Sequence, residues 1–204
     1  MMTLAIKKFC QQLTNEFDRL PSERLNTLQS LSDYIQSQKD QHKAIQLLFV
    51  CTHNSRRSHL GQIWAAVAAN FYTIASVKTF SGGTQATCFN ENAIAALQTI
   101  GFEINAKTQS DNPIYQVKFG EQLTVECFSK CYDDPLNPKE TFAAIMTCSD
   151  ADQNCPVIFG ADKRISLRYD DPKVFDGTAQ QQEKYLERSA QIAKEMLFVF
   201  SQIK

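Results

Sequence analysis

Cys51 opens a short polar run, Cys51-Thr52-His53-Asn54-Ser55-Arg56-Arg57-Ser58, set between an apolar stretch, Ile45 to Val50, and a helical pattern from about Ser58 to Asn70. Each part of this cysteine, five residues, arginine and serine has a physical reading. A loop entering a helix turns several backbone N–H groups into one concavity, which suits a tetrahedral oxyanion. The same partial charge favours the nucleophilic thiolate of a cysteine at the start of such a loop. Arg57 can grip two anion oxygens in a fork and stabilise charge that develops during transfer. Asn54 tolerates the left-handed turn that a tight cradle often needs, and Ser58 can donate a hydrogen bond to the sulfur. Thr52, His53, Ser55 and Arg56 complete the loop. The chemistry in view is attack by the Cys51 thiolate on a tetrahedral oxyanion, and it calls for no metal and no cofactor.

Two further features bear on that chemistry. Cys148 and Cys155 are seven residues apart in Met146-Thr147-Cys148-Ser149-Asp150-Ala151-Asp152-Gln153-Asn154-Cys155-Pro156. On an intact helix that separation is ~10.5 Å along the axis, whereas a disulfide needs Cα atoms within ~7 Å. If they pair, the polar residues between them must unwind. Two alternatives stand beside pairing. Both thiols could be inert, one ending a strand and one preceding a proline, or Cys127, Cys131, Cys148 and Cys155 could hold zinc, although C-x3-C and C-x6-C are not the usual short hooks. The second feature is a repeated Asp-Asp-Pro, at Asp133-Asp134-Pro135 and Asp170-Asp171-Pro172. Either could be a turn. Asp171 is the better proton donor, because it follows the last predicted strand and precedes the final helix, on the loop edge of the sheet.

The elements that position these residues follow from periodicity. Ile45–Val50 and Phe142–Thr147 are continuous apolar runs of strand length, as buried parallel strands require. Val77–Phe80, closed by Ser81-Gly82-Gly83, and Arg164–Leu167 are further strands. Asn90 can cap a helix over 91–100 that ends at Gly101, and Thr178–Ile203 reads as a long terminal helix. Residues 114–128 alternate around Gly120-Glu121, the pattern of a β-hairpin. The expected fold is α/β, a four-stranded parallel sheet flanked by helices. Ligands of such a sheet sit beyond the carboxyl ends of its strands, where the 51–58 loop lies.

Residues 1–44 read as a helical extension of the main domain, 45–204, which itself carries an insertion at 112–140. Ile6, Phe9, Leu13, Phe17 and Leu20 form one stripe. Pro21-Ser22 breaks it and offers an N-cap, and Leu25, Leu28, Leu31 and Ile35 form a second. Gln36 to Lys43 reads as a linker. Two such helices must bury their stripes on the main domain or on a second subunit, so an oligomer through residues 1–40 is one expectation. The pair lacks the basic face of a DNA reader, and a net charge of −1 shows no bias toward nucleic acid or membranes. An N-terminus that turns polar within a few residues lacks a secretory pattern, so the expected location is cytoplasmic. There, seven cysteines point to thiol catalysis or metal binding rather than a disulfide framework.

Leu47 to Trp64 resembles the active-site loop of the low-molecular-weight protein tyrosine phosphatase superfamily, whose fold also contains the thioredoxin-coupled arsenate reductases. Phe80-Ser81-Gly82-Gly83-Thr84 and the Asn90–Ile100 helix are similar to that family's second strand and helix. Residues 146–156 are similar to the reductases' redox segment, and Tyr169-Asp170-Asp171-Pro172 to the superfamily's acid loop. The resemblance implies Cys51 as nucleophile, Arg57 as clamp and Asp171 as general acid. It also implies a relay in which Cys148 attacks the Cys51 adduct, Cys155 takes over the disulfide, and thioredoxin reduces it. Arsenate reduction is the favoured reading, and hydrolysis of phosphotyrosine or small phosphoesters the alternative. A protein that binds phosphate without turnover is a third. Three residues depart from the family pattern. Arg56 stands where a second cysteine is common, and His53 where glycine is commoner. Gln62 replaces an acidic residue of an ion-stabilised site, so a bound potassium ion is not implied.

Overall fold

The apolar run before Cys51 forms a central strand of a parallel sheet. The computed structural model describes residues 1–154 and 157–204. Strand β1 (Ile45–Cys51) lies between β2 (Val77–Gly83) and β6 (Phe142–Met146), and β7 (Ala161–Ser166) flanks β6, all parallel in the order β2-β1-β6-β7. Every residue of β6 and all of β1 except Gln46 are buried. That explains why these strands read as unbroken apolar runs: both faces are covered.

On one face, Leu47, Phe49, Ala143 and Ile145 join the main core with helices α1 (Leu4–Thr14), α2 (Ser22–Asp40), α3 (Arg57–Phe71), α4 (Glu91–Ile100) and α6 (Gln181–Ser201). On the other face, Leu48, Val50, Ala144 and Met146 form a smaller cluster with Cys51, Cys148, Ile158 and Ala151 of the short helix α5 (Ser149–Asn154). The N-terminal stripes are buried by the same chain. Ile6, Cys10, Leu13, Leu20, Leu28, Leu31 and Ile35 all belong to the main core, and Arg24 forms a 2.8 Å ion pair with the buried Glu195 of α6. No second subunit is required to cover them.

Three local expectations are corrected. The run from Gln36 is not a linker up to Asp40, because α2 continues there, with Gln36 donating to Asp40 one turn on at 2.6 Å. Ser22 is the first residue of α2 rather than its cap, and Pro21 precedes it with no side-chain cap. Cys148 does not end β6, which stops at Met146; it lies just before α5.

Residues 112–140 hold the expected hairpin, β4 (Tyr115–Lys118) and β5 (Thr124–Cys127), and β4 also pairs antiparallel with β3 (Glu103–Ala106). Strand β3 gave no sequence signal because only Ile104 of its four residues is buried. Beyond the hairpin the chain returns along the outer edge of β2. There Gly83 donates to the Lys130 carbonyl at 2.9 Å and accepts from the Tyr132 N–H at 2.9 Å. Gly83 also lies close to the loop after β1: a Cβ there would be 2.6 Å from Asn54 N and 2.7 Å from the Thr52 carbonyl oxygen. Only glycine permits that approach.

Candidate active site

The loop between β1 and α3 is shaped by where its carbonyls go. The Thr52 carbonyl accepts from Gln85 N at 2.9 Å and from the Thr84 hydroxyl at 3.1 Å. The His53 carbonyl accepts from the Thr87 hydroxyl at 2.9 Å and the Ser129 hydroxyl at 3.0 Å, and the Ser55 carbonyl from Asn90 N at 2.9 Å. A planar trans peptide points its N–H opposite its C=O. The N–H groups of His53, Asn54 and Arg56 therefore turn away from those partners, which is how a loop becomes an anion cradle. Asn54 takes the left-handed conformation expected of it, at φ 42°.

A directed chain of hydrogen bonds ends on Cys51. The Lys130 backbone N–H, which can only donate, fixes the Asn54 amide by bonding its Oδ1 at 2.9 Å. Asn54 Nδ2 then donates to Ser58 Oγ at 2.8 Å. Ser58 Oγ lies 3.1 Å from Cys51 Sγ, and its proton is available to a thiolate there. Asn54 and Ser58 are wholly buried and Cys51 nearly so. In this low-dielectric setting the bonds polarise one another.

Arg57 leaves the first turn of α3 toward the loop after β7. Its Nη1 donates to the Tyr169 carbonyl at 2.9 Å, and its Nη2 contacts Asp171 Oδ2 at 2.6 Å. Its Nε is buried without a partner among the described residues. Asp171 Oδ1 accepts from Lys173 N at 3.1 Å, capping the 3₁₀ turn Pro172–Phe175. Asp134 is not part of this cluster; its carboxylate accepts from Leu136 N in an exposed turn. Cys148 is brought to the loop, with its Sγ 3.4 Å from Thr52 Oγ1 and 3.4 Å from the Ala151 N–H. Cys155 lies outside the described residues.

Arg56 faces a different set of partners: Nε donates to Tyr185 Oη at 2.7 Å and Nη2 to Asp176 Oδ2 at 3.1 Å. The imidazole of His59, in the first turn of α3, is fully buried against Phe89 and bonded to Ser81 Oγ at 3.1 Å. Burial, with Lys130 nearby, pushes its pKa down to about 3. Gln62 donates to the Thr79 and Glu126 carbonyls at 3.2 Å each and so ties α3 to β2 and β5. Cys127 is fully buried against Gln62 Oε1, and burial raises its pKa to about 12. No group of three or more metal-binding side chains occurs among the described residues, and no helix among them is long and apolar enough to cross a membrane.

Sequence reasoning missed the contributions of Ser129, Lys130 and the Tyr169 carbonyl. All three act through backbone placement or from a segment remote in sequence, and neither route leaves a motif.

No family model matches the sequence. The chain is 27% identical over 143 residues to an arsenate reductase of Bacillus subtilis, a match spanning 70% of this chain and 84% of that protein. Among solved structures it is similar to a low-molecular-weight phosphotyrosine phosphatase of Vibrio cholerae O395, with a TM-score of 0.51 and 14% identity over 78% of this chain and 95% of that one. It is similar also to an arsenate reductase in a phosphate-binding state, with a TM-score of 0.50 and 16% identity over 78% of this chain and 99% of that one.

Proposed function

We propose that this chain, which has the fold of the low-molecular-weight protein tyrosine phosphatase superfamily, is a cysteine-thiolate enzyme that reduces arsenate. The observation that carries this reading is Cys148: a pure phosphatase has no use for it, yet its thiol reaches the oxyanion loop at Thr52. The Cys51 thiolate attacks arsenic, held by the loop N–H groups and by Arg57, whose unpartnered Nε suits an anion oxygen. A hydroxide leaves as water with a proton from Asp171. The Cys148 thiolate then attacks Cys51 Sγ. The electron pair of the breaking S–As bond stays on arsenic, arsenite departs, and a Cys51–Cys148 disulfide remains. Cys155 would take over that disulfide by exchange, and thioredoxin would supply the two electrons that restore the thiols.

A second reading rests on the same loop. Cys51, Ser58, Arg57 and Asp171 suffice to hydrolyse a phosphotyrosine or small phosphoester without any second thiol. A paired assay on one preparation separates the two, comparing thioredoxin-driven arsenate reduction with p-nitrophenyl phosphate hydrolysis. Arsenate turnover is expected, with both activities absent in Cys51→Ser. Phosphoester turnover with no arsenate reduction would make the protein a phosphatase.

A further inference from the structure

Two consecutive arginines of the oxyanion loop grip the two ends of one 3₁₀ turn. Arg57 holds Asp171, the residue before Pro172–Phe175, and Arg56 holds Asp176, the residue after it. The two grips differ in what else they face. Asp171 has both oxygens occupied, Oδ2 by Arg57 and Oδ1 by Lys173 N. A carboxyl oxygen that delivers a proton to a leaving group cannot keep the guanidinium on it, and an oxyanion held by Arg57 through Nε and the adjacent Nη2 competes with Asp171 for Nη2. An entering oxyanion therefore weakens the hold of Arg57 on Asp171.

Arg56 is under no such demand. Its side chain is 13% exposed and lies in a closed network on the far side of the turn. Arg56 Nε donates to Tyr185 Oη, so the phenol must direct its own proton to Asp176 Oδ1, at 2.7 Å. Burial raises the pKa of Tyr185 to about 12, which keeps that proton in place. Asp176 Oδ1 accepts also from Asn92 at 3.3 Å, and Gln181 of α6 donates to Asn92 Oδ1 at 3.0 Å. The network thus joins the oxyanion loop, the acid loop, α4 and α6.

We infer that Arg56 is a positioning residue, which holds the acid loop through Asp176 while Arg57 moves from Asp171 to the oxyanion. An arginine standing where the family often carries a second cysteine thereby has a function of its own. It keeps the proton donor over the cradle once Arg57 has let go. The inference rests on the proposed reading of Cys51, Arg57 and Asp171 as an oxyanion site.

Hydrogen exchange with inorganic phosphate as the probe tests it, because Lys173, Asp176 and Thr178 carry hydrogen-bonded amides within this loop. In the native protein, phosphate should slow exchange across residues 51–58 and leave those three amides unchanged. In Arg56→Ala they should stay slow without phosphate, while Arg57 holds Asp171, and exchange about tenfold faster with it. Tyr185→Phe, which removes one hydroxyl, should move them in the same direction by less and serves if Arg56→Ala does not fold. Arg56→Ala should also lower kcat with little change in KM. Amides as slow in phosphate-bound Arg56→Ala as in the native protein would overturn the inference alone. Absence of phosphate protection at 51–58 in the native protein would overturn the site reading and this inference with it.

Discussion

Asn54 accepts the backbone N–H of Lys130 at 2.9 Å, so the segment that follows β5 sets the orientation of the amide that orders the hydrogen bonds at Cys51. The bond runs between residues 76 positions apart, and through it Ser58 is left free to donate to Cys51. Ser58→Ala should keep the fold and lower turnover about 10- to 100-fold, the value of one hydrogen bond to a charged group. Thermal denaturation and steady-state rates on the same sample decide it. An unaltered rate would remove Ser58 from the site's chemistry.

Arg57→Lys should lose most turnover even though the charge is kept. An ammonium cannot reproduce the fork that reaches Tyr169 and Asp171 together, nor offer a planar pair of donors to an oxyanion. Arsenate and phosphoester rates of the variant measure the loss directly, and near-native rates would show that the clamp lies elsewhere.

The two Asp-Asp-Pro segments should behave differently. Asp171→Asn should depress turnover strongly for phosphoesters with poor leaving groups and much less for activated aryl phosphates. Asp134→Asn should do little, since Asp134 caps an exposed turn. The reverse ranking would move the proton donor into the insertion.

Stability should carry a signature of His59. A histidine in the unfolded chain titrates near 6.5, whereas the buried ring stays neutral down to about 3. Between those values the unfolded state binds the extra proton. The contribution is therefore fully present above about pH 6.5 and is lost as pH falls toward 3. At pH 5 that loss amounts to about 2 kcal/mol. Urea midpoints at pH 7.5 and 5 should fall further apart for the native protein than for His59→Gln; equal shifts would mean that His59 takes up its proton without unfolding.

The parallel sheet was legible because its strands are fully buried, which compresses their sequence into apolar runs such as Phe142–Met146. The loop was legible because thiol, asparagine, arginine and serine are contiguous in sequence. What stayed hidden depends on contacts between distant segments. The insertion's approach to the loop runs through the Lys130 amide and the Ser129 hydroxyl, and a backbone N–H has no residue type to reveal it. Strand β3 exposes three of its four residues, so no alternation marks it. Gln36–Asp40 looked like a linker because its polar residues satisfy one another along a helix, a pairing that composition alone does not distinguish from coil.

If Cys51 attacks arsenate and Cys148 receives the bond, removing the third thiol should stop the relay one step early. Cys155→Ser, treated with one equivalent of arsenate, alkylated and mapped by peptide mass, should yield arsenite and a Cys51–Cys148 disulfide. Cys10, Cys88, Cys127 and Cys131 should all carry the alkyl label. Arsenite formed with Cys51 still free, or a disulfide that excludes Cys51, would contradict the assignment of the nucleophile.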